Sequence, residues 1–231
     1  MIQLLLIEDD VHFGYIIKSS LEEILGGYKV KWVTNGREGL AALDDFKFDV
    51  IVSDVEMPFM NGTEMVKKIR STNTHIPIIF ASAKISPGDV TGGYEAGADL
   101  YIKKPFQHEE LDAHIKSMLK LTRKQPDSTE ETVYQLGEYT FYPQQYLLQY
   151  KSEKQHLTAL ESNILAMLCE HMGKVVDRAD FIEKYWQADY DYNSNSRSLD
   201  VFISKLRGYL SADKSVSIKT LKKVGLLLEV K

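Results

Sequence analysis

Acidic side chains follow two apolar runs in the first half of this 231-residue sequence. Glu8, Asp9 and Asp10 come directly after the run QLLLI, and Asp54 ends the run FDVIVSD. Clustered carboxylates repel one another, so they are typical of sites where a divalent cation compensates their charge. Oxygen ligands with few protein contacts suit Mg²⁺, which keeps water molecules and favours phosphate partners. These acids therefore predict a magnesium site if the fold brings them together.

A hydroxyl and an ammonium group end two further apolar runs. Ser82 ends IPIIFAS, and Lys104 ends ADLYIKK. Such groups bind the phosphoryl oxygens that a cation leaves free. Asp54, at the end of its strand, is then a candidate nucleophile that would form an aspartyl phosphate.

One doubly wound α/β domain would position all of these residues. Five apolar runs alternate with segments of helical length, and four of the runs are typical of strands buried on both faces of a parallel sheet. The carboxyl ends of such strands meet at one edge, where ligands bind. The run 30–34 alternates more and indicates an edge strand. The predicted strands are Gln3–Ile7, Val30–Thr34, Phe48–Asp54, Ile76–Ser82 and Ala98–Lys104.

Each of these residues also has a simpler interpretation. The three acids after the first strand could cap the next helix, Ser82 could begin a turn, and Lys104 could be a surface lysine. A shared site explains better why all of them lie at strand ends of one sheet.

Residues 1 to about 122 resemble the receiver domain of response regulators, which has a flavodoxin-like or CheY-like fold. The matching motifs are IEDD at 7–10, SDVEMPFMNG at 53–62, ASA at 81–83 and LYIKKPF at 100–106. The resemblance implies that a sensor histidine kinase phosphorylates Asp54 and that Tyr101 is an aromatic switch. It implies that Ser82 and Lys104 bind the phosphoryl oxygens. The implied Mg²⁺ ligands are Glu8, Asp9, Asp54 and the Glu56 backbone carbonyl, while Asp10 is assigned to the following helix.

A phosphatase with an aspartate nucleophile is the alternative for this site. Such enzymes usually carry a second aspartate two residues after the nucleophile, then Gly and Thr, whereas this sequence reads Asp54-Val-Glu-Met-Pro. Glu56 and Lys84 lie two residues after Asp54 and Ser82. We hypothesise that they pair over the phosphoryl group and slow its hydrolysis.

The pattern changes after a polar segment that contains one proline, residues 123–132, which we interpret as a linker. Strand signals follow, and Thr158 and Glu161 form a predicted capping box that opens a helix ending near Gly173. Further helices are predicted at Arg178–Trp186 and Arg197–Leu210. The chain closes with a hairpin around Gly225.

The predicted helix 197–210 has two different faces at about 100° per residue. The apolar stripe consists of Leu199, Ile203, Leu206 and Leu210. The opposite face consists of Arg197, Val201, Ser204 and Gly208, with Lys205 at its edge. Residues 193–231 hold eight basic and three acidic side chains. These features suit a helix in a DNA major groove, although an amphipathic surface helix is the simpler alternative.

Residues 133–231 resemble the winged-helix (α+β) effector domain of the OmpR/PhoB type. The likeness lies in LTALESNILAMLCEHMGKVVDRADFIEKYW, RSLDVFISKLRGYL and IKTLKKVG. It implies binding to double-stranded DNA, at repeated half-sites, through a recognition helix and a wing. The implied DNA-binding residues are Arg197, Val201, Ser204, Lys205, Arg207, Thr220, Lys222 and Lys223.

The chain departs from this family at several positions. The wing lacks one glycine and a tyrosine, and Phe202 and Ser204 stand where polar or basic residues are common. Activation usually runs through a receiver homodimer joined by ion pairs. Glu110 is present for one pair, but Val90, Leu100 and His114 replace charged partners, which puts the usual interface in doubt.

Composition excludes other classes of protein. No apolar run approaches the ~18–20 residues of a membrane helix, and the N-terminus does not resemble a secretory signal. The single cysteine, Cys169, excludes an internal disulfide and a metal cluster of cysteines. We expect a cytoplasmic protein without a membrane partner.

The sequence thus predicts a two-domain response regulator that is not an enzyme. Phosphorylation of Asp54 would control dimerisation, sequence-specific DNA binding and transcription, with RNA polymerase as a further candidate partner. The alternative is a transcription factor of the same architecture that works without phosphorylation.

Overall fold

The computed structural model describes residues 1–72, 75–122, 132–186, 192–222 and 224–231. The chain divides into two compact units, Met1–Thr122 and Arg123–Lys231. The predicted linker lies outside the described residues except for Thr132. No helix among the described residues is both long and apolar enough to cross a membrane.

The first unit is the predicted doubly wound domain. Its elements are β1 (Ile2–Ile7), α1 (Val11–Ser19), β2 (Tyr28–Val33), α2 (Gly36–Asp45), β3 (Val50–Ser53), α3 (Gly62–Thr72), β4 (Ile78–Ser82), α4 (Pro87–Ala96), β5 (Leu100–Lys103) and α5 (His108–Thr122). The five parallel strands lie in the order β2-β1-β3-β4-β5, so β2 is an edge strand, as its alternating sequence indicates. Strands β3 and β4 are buried along their whole length, and β1 is buried over its last four residues.

Helix α4 forms although its sequence contains a proline and several glycines. Pro87 stands in the first turn, where its missing N–H is not needed, and the Ser86 hydroxyl caps the helix. Gly97 ends the helix in the left-handed conformation. A Cβ at Gly93 would lie 2.9 Å from the Tyr101 ring. Gly93 therefore allows the ring of Tyr101 to pack against α4.

Among its described residues, the second unit combines two small antiparallel sheets with three α-helices. The elements are β6 (Tyr134–Leu136), β7 (Tyr139–Tyr142), β8 (Leu147–Tyr150), β9 (Glu153–His156), α6 (Ala159–Glu170), β10 (Val175–Asp177), α7 (Arg178–Trp186), α8 (Tyr192–Tyr209), β11 (Val216–Leu221) and β12 (Gly225–Val230). One sheet has the order β6-β7-β8-β9 and the other β10-β12-β11.

The predicted landmarks of this unit are present. Thr158 and Glu161 form the capping box of α6, and β11 and β12 form the closing hairpin. Gly225 is required there, because a Cβ would lie 2.1 Å from the Val176 carbonyl oxygen on β10. Helix α8 begins five residues earlier than predicted, at Tyr192 rather than Arg197.

Candidate functional site

The strand register brings the predicted residues of the first unit to one edge of the sheet. Ser53 pairs with Ile7 on one side and with Phe80 on the other. Beyond this row, the Asp54 amide donates to the Ile7 carbonyl at 2.9 Å, and the Lys104 amide donates to the Ser82 carbonyl at 2.9 Å. The ends of four strands are thereby held side by side.

Three carboxylates and one ammonium group meet at this edge. Glu8, Asp9 and Asp54 each offer an oxygen, and these three atoms lie within 4.8 Å of one another. The Lys104 Nζ lies 2.5 Å from Glu8 Oε2 and 2.6 Å from Asp54 Oδ2. The side chains of Glu8, Asp54 and Lys104 are at most 15% exposed, so their charges interact in a poorly hydrated environment.

This donor set fits a hard divalent cation. All three candidate ligands are carboxylates, and oxygen ligands are those that Mg²⁺ prefers. Burial raises the pKa of Glu8, and the hydrogen bond from Lys104 opposes that shift. A cation among these acids would favour their charged forms. The cluster could therefore hold a metal ion.

The two oxygens of the Asp54 carboxylate have different partners. Oδ1 accepts from the amides of Val55, at 2.5 Å, and Glu56, at 3.2 Å, while Oδ2 accepts from Lys104. Gly62 lets the following helix approach, because a Cβ there would lie 2.3 Å from the Asp54 carbonyl oxygen. Asp54 is thus fixed in orientation with one oxygen in the charged cluster.

Asp10 does not belong to this cluster, as the sequence indicated. Its side chain is the N-cap of α1 and accepts from the amides of His12 and Phe13. The Phe13 amide, with that of His12, lowers the pKa of Asp10. The acids that follow β1 are therefore divided between a candidate metal site and a helix cap.

A hydrogen-bonded group connects Ser82 with Tyr101. The buried Ser82 hydroxyl accepts from the Lys84 amide at 3.2 Å, and the Tyr101 hydroxyl donates to the Lys84 carbonyl at 2.6 Å. The Tyr101 ring packs against Phe80, with ring centroids 6.1 Å apart. Burial raises the pKa of Tyr101. The backbone of Lys84, in the loop after β4, thus connects the Ser82 hydroxyl with the Tyr101 hydroxyl.

The predicted contact between Glu56 and Lys84 is present. The Lys84 Nζ lies 2.5 Å from Glu56 Oε1, and both side chains are more than half exposed. The Glu56 hydrogen bond raises the pKa of Lys84. The pair joins the loops that follow β3 and β4. The metal-binding role of the Glu56 carbonyl stays a prediction.

The candidate DNA-binding helix of the second unit has the two predicted faces. Leu199, Ile203, Leu206 and Leu210 are all buried. On the opposite face Arg197 and Ser204 are exposed and Val201 is half-buried. Phe202 does not belong to the exposed face, because it is buried beside Trp186 with ring centroids 5.9 Å apart.

Lys205 does not have the exposed ammonium group that its predicted role requires. Its Nζ lies 3.1 Å from Oε1 of Glu161, the buried acid of the α6 capping box. The Lys205 side chain is only 19% exposed. Because this lysine neutralises a buried charge, its ammonium group ties α8 to α6, and its contact with DNA stays a prediction.

Arg207 and Thr220 contact each other, although both were predicted to contact DNA. The Arg207 Nε donates to the Ile218 carbonyl at 2.8 Å, and its Nη2 donates to the Thr220 hydroxyl at 2.8 Å. These bonds fasten α8 to β11. Lys222 is exposed at the hairpin turn, and Lys223 lies outside the described residues.

Two of the three altered dimer positions are buried within the first unit. Leu100 is 4% exposed and His114 is 7% exposed, whereas Val90 is half-buried. Asp99, beside Leu100, is paired with Arg70 at 2.8 Å. At these positions the side chains serve packing and internal pairing.

Sequence reasoning missed residues that position the site residues. Glu161 was recognised as a helix cap, but not as the partner of Lys205. Arg178, at the start of α7, pairs with Asp200 at 2.9 Å and donates to Ser196, which fixes the first half of α8. The sequence carried no signal for these contacts, because the spacing within one element does not determine what packs against it.

The chain matches models of two protein families. Residues 4–116 match the response regulator receiver domain. Residues 152–228 match the family described as transcriptional regulatory protein, C terminal. The two matches fall in the two compact units, in the order that the sequence predicts.

Relatives match over nearly the whole chain. The transcriptional regulatory protein RprY of Bacteroides fragilis is 36% identical over 217 residues, which cover 94% of this chain and 90% of RprY. The alkaline phosphatase synthesis transcriptional regulatory protein PhoP of Bacillus subtilis is 31% identical over 235 residues, covering 98% and 96% of the two chains.

A solved structure of the same kind is also similar. The response regulator DrrB of Thermotoga maritima, an OmpR/PhoB homologue, is 28% identical with a TM-score of 0.51, and the match covers 99% of each chain. The chain therefore belongs to the two-component response regulators of the OmpR/PhoB type, with a receiver domain followed by a DNA-binding transcriptional regulatory domain.

Proposed function

We propose that a sensor histidine kinase transfers a phosphoryl group to Asp54 and that this transfer controls dimerisation, DNA binding and transcription. We assign residues 1–122 to the receiver, 123–132 to a linker and 133–231 to the winged-helix domain. The observation that carries the proposal is the contact of Lys104 with both Glu8 and Asp54 beside a third carboxylate. A lysine beside three carboxylates supplies the kinds of group that a phosphoryl group and its Mg²⁺ would need, which supports the proposal.

The residues of the first unit would have distinct roles in this reaction. Glu8, Asp9, Asp54 and the Glu56 carbonyl would hold Mg²⁺, which when bound would neutralise charge on the transferred phosphoryl group. An oxygen of Asp54 would form the new bond to phosphorus while the bond from phosphorus to the kinase histidine nitrogen breaks. Lys104 would exchange a carboxylate contact for a phosphoryl oxygen.

Ser82 and Tyr101 would transmit the change. Binding of the Ser82 hydroxyl to a phosphoryl oxygen would disturb its bond with the Lys84 amide. The carbonyl oxygen of Lys84 also accepts a hydrogen bond from the Tyr101 hydroxyl. Phosphorylation would thus shift a pre-existing equilibrium toward a homodimer that binds repeated DNA half-sites. RNA polymerase is a further candidate partner.

The experiment is intact-mass measurement after incubation with a small-molecule phosphodonor and Mg²⁺. The wild-type chain should gain one phosphoryl adduct, and an Asp54→Ala chain should gain none. Equal adducts on both chains would contradict the assignment of Asp54. A folded wild-type chain that gains none, even with candidate kinases, would favour regulation without phosphorylation.

A further inference from the structure

Trp32 contacts the backbone that presents the acid pair. Its side chain lies on the same face of β2 as Tyr28 and Val30, which are both buried. The indole Nε1–H donates to the Glu8 carbonyl oxygen at 2.9 Å. The Glu8 amide in turn donates to the Val33 carbonyl at 3.0 Å. Strand β2 therefore holds both backbone polar groups of Glu8.

The carbonyl that accepts the indole hydrogen belongs to the peptide unit joining Glu8 to Asp9. A peptide unit is planar, so fixing its oxygen restricts the direction in which the chain continues to Asp9. The Asp9 carboxylate is exposed and lies in the candidate metal cluster with Glu8 and Asp54. The indole hydrogen bond thus bears on the backbone that leads to Asp9.

Helix α1 is shaped to accept the indole. A Cβ at Gly14 would lie 2.4–2.7 Å from the Trp32 atoms Cε2, Cζ2 and Nε1. Glycine is otherwise unfavourable inside a helix, by about 1 kcal/mol relative to alanine. The ring edge that carries the N–H thus occupies space that any other residue at position 14 would fill.

We propose that Trp32 is a positioning residue for the metal-binding acid pair, and that its indole N–H holds the Glu8–Asp9 peptide unit in the orientation that cation binding requires. This inference rests on the proposed Mg²⁺ site. Groups that orient metal ligands commonly change metal affinity tenfold or more when they are removed. Trp32 would therefore affect Mg²⁺ affinity, apart from any effect on stability.

The test is the Mg²⁺ dissociation constant of the full chain, measured by isothermal titration calorimetry. Trp32→Phe keeps an aromatic ring but removes the N–H donor, and we expect roughly tenfold weaker binding. Trp186→Phe, which changes the tryptophan of the other unit, is the matched control and should bind as the wild type does. Thermal unfolding by circular dichroism identifies the temperature range in which each variant is folded.

A sharper variant replaces the Trp32 indole by benzothiophene, in which sulfur takes the place of the N–H. This change keeps the ring shape and removes the hydrogen bond alone, so it serves even if Trp32→Phe fails to fold. Weaker Mg²⁺ binding by the folded benzothiophene chain supports the inference. Wild-type affinity in that chain overturns it.

Gly14→Ala gives an independent test from the other side of the contact. The new methyl group must displace the indole, so Mg²⁺ binding should weaken in the wild-type background. In the Trp32→Phe background the same change should add no further loss, because the bond has already been removed. Fully additive losses would overturn the inference.

The proposed function can fail separately. Asp9→Asn should weaken Mg²⁺ binding whatever Trp32 does. If Asp9→Asn weakens binding and the benzothiophene chain does not, only the role of Trp32 is wrong. A wild-type chain without measurable Mg²⁺ binding would overturn both.

Discussion

The strand-end cluster of the receiver and helix α8 of the second unit use their predicted charges differently. At the sheet edge, Lys104 contacts two of the acids with which it was predicted to act. On α8, by contrast, Lys205 binds Glu161 on α6, and Arg207 donates to the Ile218 carbonyl on β11. Arg197 and Arg207 are both exposed, but the guanidinium of Arg207 is bound within its own domain.

The difference follows from how each element fixes a side chain. Neighbouring parallel strands end at the same edge of the sheet. Their last residues therefore lie close to one another, regardless of how other elements pack around them. The position of a residue on a helix fixes only the direction in which its side chain leaves the helix, and not the group that the side chain contacts. Lys205 and Arg207 lie to either side of the exposed face, where a long side chain can reach water or a neighbouring element. Here the buried Glu161 carboxylate binds Lys205, and the Ile218 carbonyl on β11 binds Arg207.

The largest expected effect is the loss of stability when Lys205 is replaced. Lys205→Met leaves the Glu161 carboxylate, which is 2% exposed, without its cation. We expect about 3 kcal/mol less free energy of unfolding for the second unit. Urea unfolding of a Trp32→Phe chain, in which Trp186 reports on this unit, measures the change. Arg197→Met is the matched control and should stay within about 0.5 kcal/mol; equal losses would break the comparison.

The salt dependence of DNA binding sharpens the same comparison. Each phosphate contact contributes close to 1 to the slope of the logarithm of the association constant against the logarithm of salt concentration. Arg197→Ala and Lys222→Ala should each lower the slope by about 1 on a generic duplex. Folded Lys205→Met should keep the wild-type slope. A lower slope for Lys205→Met would show that Lys205 leaves Glu161 to bind DNA.

Acidification should destabilise the first unit through His114. Burial lowers the pKa of His114, so the unfolded chain binds a proton at higher pH than the folded chain. Stability from this residue is complete above the unfolded value of about 6.5 and is lost as pH falls below it. The free energy of unfolding, followed through Trp32 in a Trp186→Phe chain, should decrease more from pH 7 to 5 than in His114→Gln. Parallel pH profiles would contradict this assignment.

The smallest effect is expected at the exposed pair of Glu56 and Lys84. Salt screens such an exposed pair, so its contribution is small. If the pair lies over the phosphoryl group, the double variant Glu56→Asn, Lys84→Ala should lose phosphate faster, by a factor of a few at most. The phosphoryl lifetime is followed by intact mass after removal of the phosphodonor. An unchanged lifetime would remove this role.

The order of elements and the residues of the sheet edge could be predicted, because periodicity and strand ends are local signals. The cap role of Asp10 and the capping box of α6 were equally local. The contact of Lys205 with Glu161 joins residues 44 positions apart, and that of Trp32 with Glu8 joins residues 24 apart. Such contacts depend on how elements pack, so the sequence predicted the charges but not their partners.

The most direct test is whether DNA affinity depends on phosphorylation of Asp54. A duplex is first selected from a random-sequence pool with phosphodonor-treated wild-type chain. Its dissociation constant is then measured for the wild-type and Asp54→Ala chains, each with and without the phosphodonor and Mg²⁺. We predict about tenfold tighter binding by the treated wild type and no response from Asp54→Ala. Equal affinity in all four samples, with the wild-type adduct verified by mass, would contradict phosphorylation control.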